Sequence, residues 1–340
     1  MTPLNVAILG ATGLVGQEFL RILAEREFPI RTLKLLASDR SAGRFMEFRG
    51  EAIRVEETTE HSFDGVDVAL FSAGADISKK YAPIAAAAGA VVVDNSAAWR
   101  MDREIPLVVP EVNPDDALEH HGIIANPNCS TIQMVVALAP IHRVNPLRRV
   151  IVDTYQSVSG TGGPAVDELM EQTRDVLDGQ PIHSDVYPHQ IAFNVLPHID
   201  VLRDDGYYQE EWKMIHETRK IMNIPELPIS ATCVRVPVPI SHSESVHAEL
   251  SRPMSADEAR AVLSEAPGVT VLDRPADAVY PLPSEAAGAD DVFVGRIRQD
   301  ASHPNGLVMW VVADNLRKGA ALNTIQIAEL IFSHAPAPGA

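Results

Sequence analysis

Cysteine is scarce in this chain: two in 340 residues. Two thiols so far apart in sequence, Cys129 and Cys233, do not make a disulfide framework, and they point to a reducing compartment, the cytoplasm. Positive charge is short as well. Lys and Arg total 28 against 46 Asp and Glu, a formal net charge of −18. A surface of that sign repels phosphate backbones and argues against nucleic-acid binding. Small anions would then need a local cationic pocket, so each Arg or Lys beside an apolar or turn element is informative. Long hydrophobic runs are missing too. The longest, APIAAAAGAVVV at residues 82–93, is too short to span a bilayer and continues into Asp94 and Asn95. The opening MTPLNVAILGATGLVG lacks a basic leader and is broken by glycines, so no secretory signal is expected.

What is present is an ordinary globular composition, 46% hydrophobic and 22% charged, in a chain long enough for two domains with separate cores. Apolar runs at 5–9, 33–37, 67–71 and 91–94 read as buried strands, with helical spacing at 13–26 and 76–88 between them. That alternation implies an α/β unit with a parallel sheet. A further helix is expected from Cys129 to Leu138. From Leu147 the texture changes: a β-branched run closes in a Ser/Gly loop, a helix spans 164–178, and 179–206 is irregular. A helix follows at 210–222. Residues 229–240, 243–250, 291–300 and 306–315 alternate like antiparallel strands. The last helix, 318–332, is expected to return to the first domain. The expectation is therefore a doubly wound, Rossmann-like N-terminal domain (1–129 with 318–334) and an α+β catalytic and dimerisation domain (130–317). Residues 335–340 read as a disordered tail.

Gly10, Gly13 and Gly16 lie between the first strand and its helix. Glycines there allow a tight turn and let backbone N–H groups approach a pyrophosphate at the helix N-terminus. An ordinary tight turn would look the same. At the end of the second strand, in LLASDRSAG, Asp39 suits a ribose 2′-hydroxyl and hence NAD, whereas Ser38, Arg40 and Ser41 suit a 2′-phosphate and hence NADP. Spacing leaves both open.

Cys129 follows Asn-Pro-Asn and stands at the start of an apolar helix. The dipole and unpaired N–H groups of a helix N-terminus favour a thiolate, and Pro127 limits the local backbone. Cys233, inside a strand, reads as a core residue. A cysteine nucleophile beside a dinucleotide fold implies thiohemiacetal and thioester chemistry with hydride transfer. Its base would come from PISHSESVH, where His242 sits in a turn at the start of a strand and His247 lies within it. Two histidines so close also raise a metal site, but no cysteine or carboxylate cluster supports one, and no metal is expected.

Taken in order, GATGLVGQ, ASDRSAG, FSAG, DNSAAWR, PEVNP, NPNCST, YQSVSGTG, EEWKMIHETRKI, TCVRVPV, HSES and DNLRKGAALN make the chain resemble the bacterial aspartate-β-semialdehyde dehydrogenases over nearly its whole length. N-acetyl-glutamyl-phosphate reductases share the plan, and EEWKM and TCVRVPV favour the aspartate enzymes. The resemblance implies NADP-dependent, reversible conversion of L-4-aspartyl phosphate to L-aspartate 4-semialdehyde and phosphate, on the route to lysine (through diaminopimelate), threonine and methionine. By motif it assigns Cys129 as the thioester nucleophile, His242, seven residues after Arg235, as acid/base, and Gln156 to position the substrate. Arg235 would bind the α-carboxylate, Glu210 the amino group, and Arg100 and Lys213 the phosphate. The cofactor would meet Gly10, Ala11, Thr12, Gly13, Leu14, Val15 and Gly16, then Ser38, Arg40 and Ser41, Ser72, Ala73 and Gly74, Ser159 and Gly160, and Asn315. Without the resemblance, Glu210 and Lys213, three apart on a helix, would pass for a surface ion pair. Arg235 in an apolar strand is costly unless paired. Ala97 and Trp99 depart from the Ser and Phe expected there, and neither change touches a catalytic group. The family implies a homodimer or homotetramer. A non-catalytic dinucleotide-binding regulator and a cysteine hydrolase or acyltransferase are the readings from other classes.

Overall fold

The computed structural model describes residues 2–334, so the expected tail lies outside the described residues. The chain divides into two compact units, Met1–Asn128 with Ala320–Ala340, and Cys129–Gly319. In the first unit the elements run β1 (Leu4–Leu9), α1 (Leu14–Glu25), β2 (Ile30–Ala37), β3 (Phe45–Phe48), β4 (Glu51–Glu57), β5 (Val68–Phe71), α2 (Ala75–Ala87), β6 (Val91–Asp94) and β7 (Ile123–Ala125). Their sheet has the order β3-β4-β2-β1-β5-β6-β7. The inner strands are parallel; β1, β5 and β6 are buried almost throughout, whereas β2 is buried only in its second half. The sheet is not parallel throughout, as the sequence had implied: β3 and β4 form an antiparallel hairpin at its edge. RFMEFRGEAIRVEE mixes charges into a half-exposed edge, so it carries no buried-strand signal.

The second unit runs α3 (Cys129–Val144), β8 (Leu147–Gln156), α4 (Gly163–Asp178), α5 (Gln209–Ile221), β9 (Ile229–Arg235), β10 (His242–Leu250), α6 (Ala256–Ser264), β11 (Val269–Val271), α7 (Pro283–Ala286), β12 (Val292–Gln299) and β13 (Gly306–Ala313). Its sheet has the order β11-β12-β13-β10-β8-β9. The antiparallel expectation holds for β10, β12 and β13 but fails for β9, which pairs with β8 in parallel; β8 runs antiparallel to β10, and β11, where no strand was expected, pairs with β12 in parallel. A parallel neighbour requires a long crossover, here α4, the irregular stretch and α5.

Two features of this unit set the site. First, α3 is apolar nearly all round and is buried on β8, β10 and β13. Each of its buried Ile, Val and Leu side chains contributes about 1.5–3 kcal/mol, so its first residue, Cys129, is firmly held. Second, β10 alternates: His242, Glu244, Val246 and Ala248 are buried towards α3, while Ser245, His247 and Glu249 are half-exposed on the other face. After β13 the chain makes a π-helical turn, Arg317–Ala321, where sequence spacing had predicted regular helix from 318. It continues as α8 (Leu322–His334). Leu322, Ile325 and Ala328 of α8 pack in the first unit's core with Phe19 and Ile22 of α1.

Candidate active site

The first unit carries a glycine cradle. Gly10 has φ +88°, and a Cβ there would lie 2.2 Å from the Ser72 carbonyl oxygen. A Cβ on Gly16 would lie 2.3 Å from the Gly10 carbonyl oxygen. Both positions therefore require glycine, whereas Gly13 has room and precedes α1, where the chain is extended. A cleft of about 500 Å³ opens beside this turn, lined among others by Thr12, Ser38, Asp39, Arg40 and Ser72. Asp39 spends one carboxylate oxygen on the Arg40 backbone N–H, 2.8 Å away. Arg100, also in this unit, is buried and donates to the carbonyls of Asn126 (3.0 Å) and Asn95 (2.7 Å). The turn that holds it is built on Asp94, whose buried carboxylate accepts from the Ser78 and Ser96 hydroxyls. Burial pushes the Asp94 pKa above the usual carboxylate value.

In the second unit the Cys129 Sγ lies 3.1 Å from His242 Nε2. His242, placed in a turn by the sequence, is the first residue of β10 and is fully buried. The residue before it, Ser241, has φ +77°, and its N–H donates to Asn315 Oδ1 at 2.8 Å. That strained turn aims the ring. The Ser157 backbone N–H donates to His242 Nδ1 at 3.0 Å. A backbone N–H can only donate, so Nδ1 is an acceptor and the neutral ring carries its proton on Nε2, facing the sulfur. Burial first, and the Arg235 charge second, lower the His242 pKa to about 3, against an opposing pull from Glu210. The imidazole is therefore neutral at physiological pH and presents an N–H to Cys129.

Gln156, at the end of β8, donates to Glu210 Oε1 at 3.1 Å. The other Glu210 oxygen meets Lys213 Nζ at 3.1 Å, and Lys213 also reaches Asp200 at 2.6 Å. The pair that would pass for a surface contact is thus largely enclosed. Arg235 is buried, with Nη1 on the Ser157 carbonyl at 2.6 Å and Nε without a protein partner. The Nε–H of this guanidinium is thus a donor left unused at a buried position. Gly160 closes over it: a Cβ there would lie 2.9 Å from Arg235 Nη1 and 3.3 Å from the His242 ring. Ser159 is tied to Asn315 through its hydroxyl. Cys129, His242, Gln156, Glu210, Lys213, Arg235, Ser159, Gly160 and Asn315 thus all belong to the second unit, and the glycine cradle and Arg100 to the first.

The remaining candidates lie apart. His247 is on the opposite face of β10, 3.5 Å from Asp300. Cys233 is buried beside Met214, and burial pushes its thiol well up. No group of three or more metal-ligating side chains occurs among the described residues. Sequence reasoning missed Ser157 and Gly319. A Cβ on Gly319 would lie 2.8 Å from the Cys129 Cβ. Ser157 adjoins Gln156 and was within reach of the motif. Gly319 meets Cys129 only through the fold, and nothing local marks it.

Comparison with known proteins fixes the class. Residues 5–120 match the semialdehyde dehydrogenase NAD binding domain, and residues 138–318 match the semialdehyde dehydrogenase dimerisation domain. The chain is a two-domain semialdehyde dehydrogenase with an NAD(P)-binding unit. It is 57% identical over 331 residues to the aspartate-semialdehyde dehydrogenase of Legionella pneumophila, covering 96% of this chain and 95% of that one. With the Bacillus subtilis enzyme the identity is 52% over 334 residues, 96% of each. The crystal structure of aspartate semialdehyde dehydrogenase II from Vibrio cholerae complexed with ASA matches with a TM-score of 0.96 at 49% identity, over 99% of this chain and 100% of that one. The Candida albicans enzyme with NADP matches at a TM-score of 0.76 and 27% identity, over 97% and 99%. The chain belongs to the aspartate-semialdehyde dehydrogenase family, and its activity is that family's, in aspartate-family amino-acid biosynthesis. Among the described residues no helix is long and apolar enough to cross a membrane.

Proposed function

We propose that the chain performs NADP-dependent reductive dephosphorylation of L-4-aspartyl phosphate to L-aspartate 4-semialdehyde through a thioester on Cys129, on the route to lysine, threonine and methionine. The observation that carries this is the 3.1 Å contact between Cys129 Sγ, at a helix N-terminus, and the N–H face of a neutral His242. The Cys129 thiolate attacks the acyl-phosphate carbonyl. A C–S bond forms, the C–O bond to phosphate breaks, and phosphate leaves with the electron pair. Arg100 and Lys213 hold the phosphate. Arg235 takes the α-carboxylate, Glu210 the ammonium group, and Gln156 fixes Glu210. The His242 Nε2–H and the first N–H groups of α3 stabilise the oxyanion. The resemblance implies an acid/base at His242; we read the ring as a neutral Nε2–H donor, because its Nδ1 accepts the Ser157 backbone N–H, with the Ser157 hydroxyl also 3.0 Å away.

Held by the first unit's glycine turn, NADPH would supply the hydride needed to reduce the thioester carbon. The glycine cradle fits a dinucleotide, because Gly10 and Gly16 sit where a side chain would collide with backbone. Ser38, Arg40 and Ser41 favour the 2′-phosphate form, with Asp39 partly engaged by backbone. When the C–S bond breaks, the same Nε2–H receives the departing thiolate. The second unit, which matches a dimerisation domain, would pair with a second copy of the chain, and the free thiols fit a cytoplasmic enzyme. The decisive test is trapping: aspartyl phosphate without nicotinamide should release about one phosphate per site and leave an aspartyl adduct on Cys129 by mass spectrometry. An adduct elsewhere, or turnover by Cys129→Ala, would sink the thioester.

A further inference from the structure

Glu244 takes no part in the chemistry above, yet it is fully buried, and neither carboxyl oxygen has a hydrogen-bond partner. It stands two residues after His242 on β10, so both side chains point to the face covered by α3. On α3, Gln133 lies one turn beyond Cys129 and on the same side. The site is thus two layers deep, with Cys129 against His242 and Gln133 against Glu244. The Gln133 amide donates to the His242 carbonyl at 3.4 Å, and its own Oε1 is buried without a partner.

An ionised carboxylate here would lack a cation. Its register neighbours are Thr154 on β8 and Val311 on β13, and α3 offers the uncharged Gln133. The facing groups that titrate are His242 on its own strand and Cys233 on β9. His242 is neutral at physiological pH, and burial holds the Cys233 thiol protonated. Burial likewise drives the Glu244 pKa well above the usual carboxylate value; only the Gln133 amide opposes it, facing the carboxyl group without completing a hydrogen bond of good geometry. A neutral carboxyl group, by contrast, has an O–H to give, and Gln133 Oε1 is an acceptor that lacks a donor.

We propose that Glu244 is a protonated carboxylic acid and a positioning residue for His242, its O–H donated to Gln133 Oε1 so that the Gln133 amide is fixed on the His242 carbonyl. The inference rests on His242 being the partner of Cys129. It makes the first residue of β10 rigid on the side of the nucleophile and holds the ring at hydrogen-bonding distance.

The test uses Glu244→Gln, which keeps a neutral donor, alongside Glu244→Leu and Gln133→Leu, which break the relay. Below its unfolded pKa the carboxyl is protonated in both states. Above it the unfolded chain releases a proton that the native chain retains, so the wild type loses stability as pH rises. The melting temperature of Glu244→Gln should therefore match the wild type near about pH 5 and exceed it increasingly towards about pH 8. The pH profile of Cys129 alkylation by iodoacetamide should coincide in wild type and Glu244→Gln. It should shift in both leucine variants, with kcat falling on the order of tenfold or more and KM changing less. A melting difference independent of pH would overturn the protonated state. A Glu244→Gln profile displaced like that of Glu244→Leu, or an undisplaced Glu244→Leu profile, would overturn the positioning role. Full activity in His242→Ala would remove the reading of His242 while leaving the melting result intact.

Discussion

The Cys129 sulfur and the His242 Nε2 stand 3.1 Å apart although 113 residues separate them. The contact joins the first residue of α3 to the first residue of β10, and the neighbouring Ser157 N–H fixes which ring nitrogen bears the proton. A neutral donor and a charged acid make different demands on a substitution. His242→Gln, whose amide retains an N–H, should keep more activity than His242→Ala, which should lose on the order of 10²–10³ in kcat. Equal losses in the two variants would remove the donor role. The wild-type kcat profile should also show no His242 titration between about pH 6 and 8, because its pKa lies near 3.

Gly319 presses on the nucleophile. An added methyl would lie 2.8 Å from the Cys129 Cβ and 3.3 Å from its Cα. Neither atom is the end of a flexible side chain, so the start of α3 must shift. Gly319→Ala should cut kcat by roughly a hundredfold while leaving cofactor affinity near the wild-type value, as titration of nicotinamide fluorescence would show. A fully active variant would mean that the helix start yields without consequence.

Arg40 is exposed at the rim of the first unit's cleft, and the neighbouring Asp39 is partly engaged by backbone. Removing a cation that meets a 2′-phosphate affects one cofactor alone. Arg40→Ala should raise KM for NADP about tenfold and leave KM for NAD nearly unchanged. An equal rise for both would take Arg40 out of cofactor selection.

Much of this was legible in the sequence, for identifiable reasons. The strand–glycine–helix order announces the first unit because Gly10 and Gly16 answer local backbone demands. Cys129 was visible because its helix start is written in adjacent residues. The parallel pairing of β9 was not legible: Ile229–Arg235 alternates as any half-buried strand does, and its partner is chosen by a crossover. The hairpin of β3 and β4 was hidden by its exposed, charged edge. Glu244 carried no sequence signal of its own within an alternating strand. That it pairs with Gln133 rather than with a cation depends on α3 lying across β10, which no local pattern encodes. The His242 tautomer depends likewise on a Ser157 N–H far away in sequence.

The buried neutral histidine also bears on acid stability. In the unfolded chain His242 takes a proton near its ordinary value of 6.5, whereas in the native chain it resists down to about 3. Between those values the unfolded state binds more protons, so stability falls as pH falls, by up to about 1.4 kcal/mol per pH unit. Above pH 6.5 both states are neutral at this ring and it contributes no slope. His242→Gln abolishes this pH dependence while keeping a polar side chain. Its urea midpoint should therefore drop less steeply than that of the wild type from about pH 6.5 to about pH 4.5, and the two curves should run parallel above pH 7. Parallel curves through the whole range would mean that the ring accepts a proton in the folded protein. That outcome would also return His242 to the role of a charged acid.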